Sequence, residues 1–176
     1  EVQTEKDWEF AEDFQIPVLF YISKMDRENA DFDRTVGELR KYMSEKVVPL
    51  FLPIGKEAAF KGVVDVLNGK AFLYKGDGSK DFKESEIPAD MTEEVQAARE
   101  ALVERIVEAD DELMMRYLDG EQIQGDELAK ALRVAVAKRS LFPVFPGSAT
   151  AEVCALPLLD ALPVAGLDFD VPVEVA

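Results

Sequence analysis

Apolar residues form two continuous runs that lie far apart in the chain, residues 16–22 and residues 141–145. Runs of this length without alternation are typical of strands that are buried on both faces of a parallel sheet. Residues 1–15 and 31–45 instead carry apolar residues at helical spacing, and Asp31 stands where an N-cap is expected. These segments predict an α/β architecture with two parallel strands and flanking helices.

The middle of the chain has a different pattern. Residues 47–53 predict a strand. Asn68-Gly69 predicts a tight hairpin between residues 61–67 and 70–75, because both central residues of such a turn need positive φ. The polar, glycine-containing residues 76–83 predict a loop. Together these segments indicate an antiparallel sheet.

Two helical patterns follow. The first covers about residues 91–118, where Asp90 and Glu93 resemble a capping box and Asp110-Asp111 leaves open a division into two helices. The second covers about residues 126–138. The buried positions predicted for these helices are Val95, Ala98, Leu102, Ile106, Ala109, Leu113, Leu128, Leu132 and Ala135.

The patterns divide the chain into two parts. Residues 1–43 and 140–176 form the α/β part, and residues 44–139 form an inserted α+β subdomain with an antiparallel sheet and long helices. The tail after residue 149 contains prolines and predicts one short helix followed by an extended segment.

The charge of the chain narrows the classes of partner. Asp and Glu number 36 against 20 Lys and Arg, so the formal net charge is −16. Binding of DNA or RNA needs a basic face, and anionic lipid repels an acidic protein. The longest apolar runs are also far too short to cross a bilayer. We therefore expect no direct contact with DNA and none with a membrane, and we expect partners that carry positive charge.

Two residue types are scarce. The chain has no His, which excludes imidazole catalysis and His metal sites within it, and one Cys, which excludes an internal disulfide. A single thiol is typical of a reducing compartment. The chain begins at Glu1 with no signal segment, so we expect a cytoplasmic protein and further residues upstream.

The first candidate motif is Ser23-Lys24-Met25-Asp26, directly after the first apolar run. Guanine presents N1–H and N2–H side by side, and one carboxylate can accept both, so Asp26 is a candidate guanine reader. Adenine would leave that carboxylate without its donors. The methylene stem of Lys24 can lie along the flat base.

The second candidate motif is Gly147-Ser148-Ala149, after the second run. A backbone N–H in this segment can donate to the guanine carbonyl, and its small side chains allow close approach. Open α/β sheets bind ligands at the carboxyl ends of their strands, where both motifs stand. The alternative interpretation is that the first motif is a solvated turn and the second an ordinary loop.

A series of further short motifs extends this pair through nearly the whole chain. They are Ala30-Asp31-Phe32, Leu52-Pro53-Ile54-Gly55, Phe60-Lys61-Gly62-Val63-Val64-Asp65, Glu86-Ile87-Pro88, Ala109-Asp110-Asp111-Glu112-Leu113-Met114, Tyr117-Leu118 and Pro143-Val144. In this order they resemble the elongation factor G family of translational GTPases. Phe32-Asp33-Arg34-Thr35 and Gly147-Ser148-Ala149-Thr150 are most similar to its elongation-factor-G-like paralogues.

The resemblance implies the C-terminal part of a P-loop GTPase sheet, two strands plus helices, bracketing the inserted G-prime-like subdomain of this family. It implies guanine nucleotide binding, GTP or GDP, by Ser23, Lys24, Asp26, Gly147, Ser148 and Ala149. The family usually has Asn where this chain has Ser23. Ser is shorter and can supply only part of the bracing that Asn gives.

The resemblance also implies which parts of the family's site lie elsewhere. The phosphate loop, both switches, the catalytic His and the residues that hold Mg²⁺ all belong upstream of Glu1, and the chain has no Gly-x-x-x-x-Gly-Lys pattern. We therefore expect this chain to hydrolyse no GTP by itself, although its parent resembles a GTP hydrolase.

Glu104, Glu108 and Asp111 stand at i, i+4 and i+7 of the long helical pattern, which predicts an acidic stripe on one side. One interpretation is a solvated helix face. The family resemblance favours another, because the inserted subdomain of elongation factor G contacts the C-terminal domain of the ribosomal stalk protein, which offers basic side chains. On this interpretation the chain docks on the ribosome through its stalk protein.

Two functions remain open at this point. The first is a piece of a ribosome-dependent translocation GTPase that supplies guanine recognition and a docking subdomain. The second is an acidic protein-interaction module in which the nucleotide motifs are vestigial. For this chain, Ser23 and the expected upstream position of the phosphate loop favour the second, and for its parent the intact motif pair favours the first.

Overall fold

The computed structural model describes residues 2–75, 81–123, 125–149 and 153–154. In these ranges the helices are α1 (Val2–Asp13), α2 (Phe32–Tyr42), α3 (Thr92–Val107), α4 (Asp111–Leu118) and α5 (Gly125–Ala137). The strands are β1 (Phe20–Ile22), β2 (Val47–Pro49), β3 (Phe51–Ile54), β4 (Gly62–Asp65), β5 (Lys70–Tyr74), β6 (Phe82–Ser85) and β7 (Phe142–Pro146). The predicted α/β class is confirmed, with one parallel and one antiparallel sheet.

The parallel sheet has the strand order β1-β7-β2, one strand more than predicted. Residues 47–53 predict one strand, but the structure divides them into β2 and β3, which belong to different sheets. The division is at Leu50. Its N–H donates to the carbonyl of Val144 (3.0 Å), and its carbonyl accepts from the N–H of Val66 (3.1 Å). A single residue therefore carries the chain from one sheet to the other.

Strand β2 lies inside residues 44–139, the range predicted for the inserted subdomain, although it pairs with β7 of the α/β part. The aromatic ring of Phe51 on β3 stacks on that of Phe145 on β7, with 5.4 Å between the centroids. The two parts therefore share a strand connection and an aromatic contact. The division of the chain into domains stays a prediction.

Strand β1 is shorter and less buried than its apolar run predicts. Only the last three of residues 16–22 form the strand, and all three are half-buried. The reason is position, because among the described residues β1 pairs with β7 alone and is an edge strand. Strand β7 lies between two strands and is buried along its whole length, as predicted.

The antiparallel sheet has the order β3-β4-β5-β6, and β4 and β5 form the predicted hairpin. Its turn is not the predicted one. Asp65 pairs with Lys70, so four residues connect the strands, and Gly69 has positive φ (68°) whereas Asn68 does not. The Asp65 carboxylate accepts from the backbone N–H (3.0 Å) and the side-chain amide (2.7 Å) of Asn68, which stabilises the longer turn.

Two predictions lie partly outside the described residues. Residues 76–80 of the predicted loop are outside, while Phe82 and Lys83 belong to β6 because they pair with β5. The predicted helix and extended segment of the tail are also outside. Val153 and Cys154 are described, and both are buried.

The long helical pattern is two helices, with the division at Asp110. The Asp110 carboxylate accepts from the N–H groups of Glu112 (3.0 Å) and Leu113 (3.2 Å), so it is the N-cap of α4. The predicted capping box at Asp90 is wrong. A 3-10 turn, Ala89–Met91, precedes α3, and the N-cap residue of α3, Met91, makes no side-chain capping hydrogen bond.

The predicted apolar faces of α3, α4 and α5 lie in the core. Ala98 and Ala109 are half-buried, and the other predicted positions are buried, namely Val95, Leu102, Ile106, Leu113, Leu128, Leu132 and Ala135. In the part of the chain that the structure describes, no helix combines the length and the hydropathy needed to cross a membrane.

Candidate functional site

The two predicted motifs lie side by side. Strands β1 and β7 are parallel neighbours, with Ile22 opposite Pro146, so both motifs leave the same edge of the sheet. Two backbone hydrogen bonds join them. The N–H of Gly147 donates to the carbonyl of Ile22 (2.9 Å), and the N–H of Met25 donates to the carbonyl of Gly147 (3.1 Å). The two motifs therefore lie together at the carboxyl ends of neighbouring parallel strands, as their positions in the sequence predict.

The first motif, Ser23-Lys24-Met25-Asp26, forms a loop around one buried residue. Lys24 has φ 63°, a left-handed conformation that non-glycine residues seldom adopt, and the next side chain, Met25, is buried. Lys24 is exposed, and the Asp26 side chain is 23% exposed, with an Oδ2 atom 3.7 Å from Nε of Arg27. Met25 thus anchors a loop that carries an exposed amine at Lys24 and a partly buried carboxylate at Asp26.

The second loop leaves one backbone donor at its surface. The N–H of Gly147 goes to Ile22, and the N–H of Ser148 donates to the carbonyl of Val153 (3.3 Å). Ala149 is exposed, and no described residue accepts a hydrogen bond from its N–H. Of the three N–H groups considered from the sequence, that of Ala149 is therefore the one without an acceptor among the described residues.

Ser23 is exposed, and no hydrogen bond joins its side chain to another residue in the described ranges. The serine therefore does not brace the loop, in agreement with its short side chain. The flank of the loop has another support, because the Glu57 carboxylate accepts from the backbone N–H of Asn29 (2.7 Å). Sequence reasoning missed this contact, which joins residues 28 positions apart.

Tyr21 is a second residue that sequence reasoning missed. It lies in an apolar run, where a core position is expected, yet its ring lies against Gly147. Burial, then the nearby Cys154 and Asp26, raise the pKa of Tyr21 to about 12. A tyrosine two residues before the candidate loop that begins at Ser23 is the one sequence signal that points to it.

The predicted acidic stripe is not on one helix. Glu104 lies in the last turn of α3 and Glu108 is its C-cap, whereas Asp111 begins α4. All three are exposed, but the division at Asp110 removes the continuous helix on which the spacing depends. Glu108 also pairs with Arg105, with 2.9 Å between Oε2 and Nη1, which neutralises part of the local charge.

Comparison with known proteins identifies the fold around this site. The family model described as the elongation factor Tu GTP binding domain matches residues 1–164. The chain belongs to this family. A GTP-binding domain of this kind agrees with the two adjacent motifs and with the parallel sheet that positions them.

Two proteins similar to this chain indicate which branch of the GTP-binding family it resembles. An elongation factor G-like protein of Thermotoga maritima is 41% identical over 162 residues, which cover 92% of this chain and 23% of that protein. A crystal structure of a protein from Thermus thermophilus superposes with a TM-score of 0.84 at 34% identity and covers 94% of this chain and 24% of that chain. The predicted resemblance to the elongation factor G family is confirmed. The chain spans about a quarter of the length of each relative.

Within the described ranges, no cluster of three or more His, Cys, Asp or Glu side chains could hold a metal ion. At the sheet edge where the two motifs lie, the structure describes a carboxylate (Asp26), an amine (Lys24) and a backbone donor (Ala149).

Proposed function

We propose that this chain supplies guanine recognition to a ribosome-dependent translational GTPase. In this proposal the Asp26 carboxylate accepts from N1–H and N2–H of the base, and the Ala149 N–H donates to its carbonyl. The Lys24 stem covers one face of the ring, while Gly147 and Ser148 hold the second loop in place. The hydrogen bond from Met25 N–H to the Gly147 carbonyl supports the proposal most strongly, because it joins the two loops that must read one base.

Competition binding tests this function. With the full-length gene product and fluorescent mant-GDP as the probe, we expect unlabelled GDP to displace the probe at least about 100-fold more effectively than ADP. The physical reason is that adenine offers an N–H pair where Ala149 would need a carbonyl, and offers the Asp26 carboxylate no donors at N1. Equal displacement by ADP and GDP would refute guanine recognition at this site.

We further propose that the region around Glu104, Glu108 and Asp111 docks the C-terminal domain of the ribosomal stalk protein. All three side chains are exposed around the junction between α3 and α4. The excess of acidic residues in the chain supports a basic partner, since opposite charge raises the rate of association.

A titration with the stalk protein's C-terminal domain tests the docking proposal. We expect saturable binding at low salt that weakens at moderate salt, and a loss of about tenfold in the Glu104→Lys/Glu108→Lys variant. Glu5→Lys/Glu9→Lys on α1 is the matched control, because it makes the same change in charge at i and i+4 of another exposed helix. Equal binding by the two double variants would show that Glu104 and Glu108 belong to a solvated surface and do not contact the stalk protein.

A further inference from the structure

The ring of Tyr21 occupies the space where a side chain at position 147 would stand. A Cβ atom added to Gly147 would lie 2.6 Å from Cε2 and from Cζ of Tyr21, and closer still to its hydroxyl oxygen. Real Cβ atoms do not approach other heavy atoms below 3.0 Å. The backbone at Gly147 therefore approaches the ring to a distance that glycine alone permits.

A short series of contacts leads from this ring to the carboxylate of the site. Tyr21 lies against Gly147, and the Gly147 carbonyl accepts the N–H of Met25, the residue before Asp26. That hydrogen bond, 3.1 Å long, ties the backbone of Met25 to the backbone of Gly147. A displacement of Gly147 would therefore move the Met25 peptide and the attachment point of Asp26 with it.

The side chain of Ser23 does not brace the loop formed by Ser23-Lys24-Met25-Asp26. Ser23 is exposed, and its side chain has no hydrogen bond within the described ranges. Strand β1 is also an edge strand in these ranges, so it pairs with a strand, β7, on one side alone. Within the described residues, the contact between Tyr21 and Gly147 is one that joins the end of β1 to the second loop through a side chain.

We propose that Tyr21 is a positioning residue for guanine recognition: its ring holds the Gly147 turn against β1 and thereby sets the place of Asp26. The inference rests on the proposed guanine recognition and adds a residue to it. The close approach involves the ring carbons Cε2 and Cζ as well as the hydroxyl oxygen, and we assign the role to the ring because it makes two of the three contacts. The elevated pKa of Tyr21 is consistent with a phenol that stays neutral in this packed position.

Nucleotide discrimination by tyrosine variants of the full-length gene product tests the inference. The probes are mant-GDP and mant-IDP. The base of IDP lacks the N2 amino group, whose N–H would donate a hydrogen bond to one Asp26 oxygen. We expect Tyr21→Leu to bind mant-GDP about tenfold more weakly and to lose most of the preference for mant-GDP over mant-IDP. Tyr21→Phe should retain both affinity and preference, since it keeps the ring. Tyr42→Leu, the same change at a tyrosine that is 66% exposed, should match the wild type.

The preference for mant-GDP over mant-IDP separates positioning from general damage, because a smaller folded fraction lowers both affinities equally. Tyr21→Leu with an unchanged preference would overturn the inference and leave guanine recognition intact. Loss of preference in Tyr21→Phe would also overturn it, because the hydroxyl would then be the important group. A wild-type protein that binds neither probe would refute the proposed function and the inference together.

Discussion

Replacing Arg139 by Leu should lower the free energy of unfolding by about 3 kcal/mol, since breaking a buried charge pair typically costs 3–5 kcal/mol and this pair is open to water on one side. Arg139 is 7% exposed, and its guanidinium donates to the carbonyls of Ala11 (3.0 Å) and Ile16. It also donates to the Glu12 carboxylate, whose side chain is 47% exposed. Leucine would leave both carbonyls without this donor.

The same guanidinium lies against two aromatic rings that connect α1 to the parallel sheet. It stands 5.6 Å from the ring centroid of Trp8 and 5.2 Å from that of Phe142. Those two rings meet edge to face at 5.0 Å. Arg139 therefore joins α1 to the start of β7, and its loss should release α1 as well as destabilise the whole chain.

Guanidinium chloride unfolding followed by circular dichroism measures this effect. Arg133→Leu is the matched control, because it makes the same change on the exposed face of α5 and should alter stability by less than about 0.5 kcal/mol. Similar stability losses in the two variants would show that Arg139 is not the link between α1 and β7.

The Asp26→Asn substitution should weaken GDP binding by roughly 100-fold and create binding of XDP. Two hydrogen bonds to a carboxylate would be lost or weakened, and bonds to charged groups are worth about 1.5–3 kcal/mol each, so a net loss near 3 kcal/mol is expected. Xanthine carries a carbonyl where guanine carries N2. The amide of Asn can donate to that carbonyl and still accept from N1–H, so the preference should reverse.

Competition of GDP and XDP against mant-GDP and mant-XDP checks this reversal in the full-length gene product. Asp33→Asn makes the same chemical change at an exposed position in the first turn of α2 and should leave both affinities unchanged. If the Asp26→Asn variant keeps the wild-type preference for GDP, the Asp26 carboxylate does not recognise the guanine base.

The elements that sequence reasoning predicted well are those with a strong local pattern. The apolar periodicity of α2 and the carboxylate of Asp31, which accepts from the N–H of Arg34 (2.9 Å), predicted that helix and its start. The proximity of the two motifs was also predictable, because parallel strands place their carboxyl ends at one edge.

The features that sequence reasoning missed depend on contacts between distant segments. Nothing local in residues 47–53 marks Leu50 as the point of division, since its two backbone bonds go to Val144 and Val66. Asp90 stands in a capping pattern, but it lies inside a 3-10 turn, and α3 begins after Met91 without a side-chain cap. Tyr21 looks like an ordinary core residue until the approach of Gly147 is seen.

A crystal structure of the full-length gene product with GDP is the most direct test of the central claim, that Lys24, Asp26 and Ala149 read the guanine base. We predict both Asp26 oxygens at about 2.8 Å from N1 and N2 of the base, with the Ala149 N–H directed at its carbonyl and the Lys24 stem along its face. A base bound elsewhere, with the Asp26 carboxylate facing solvent, would contradict the account.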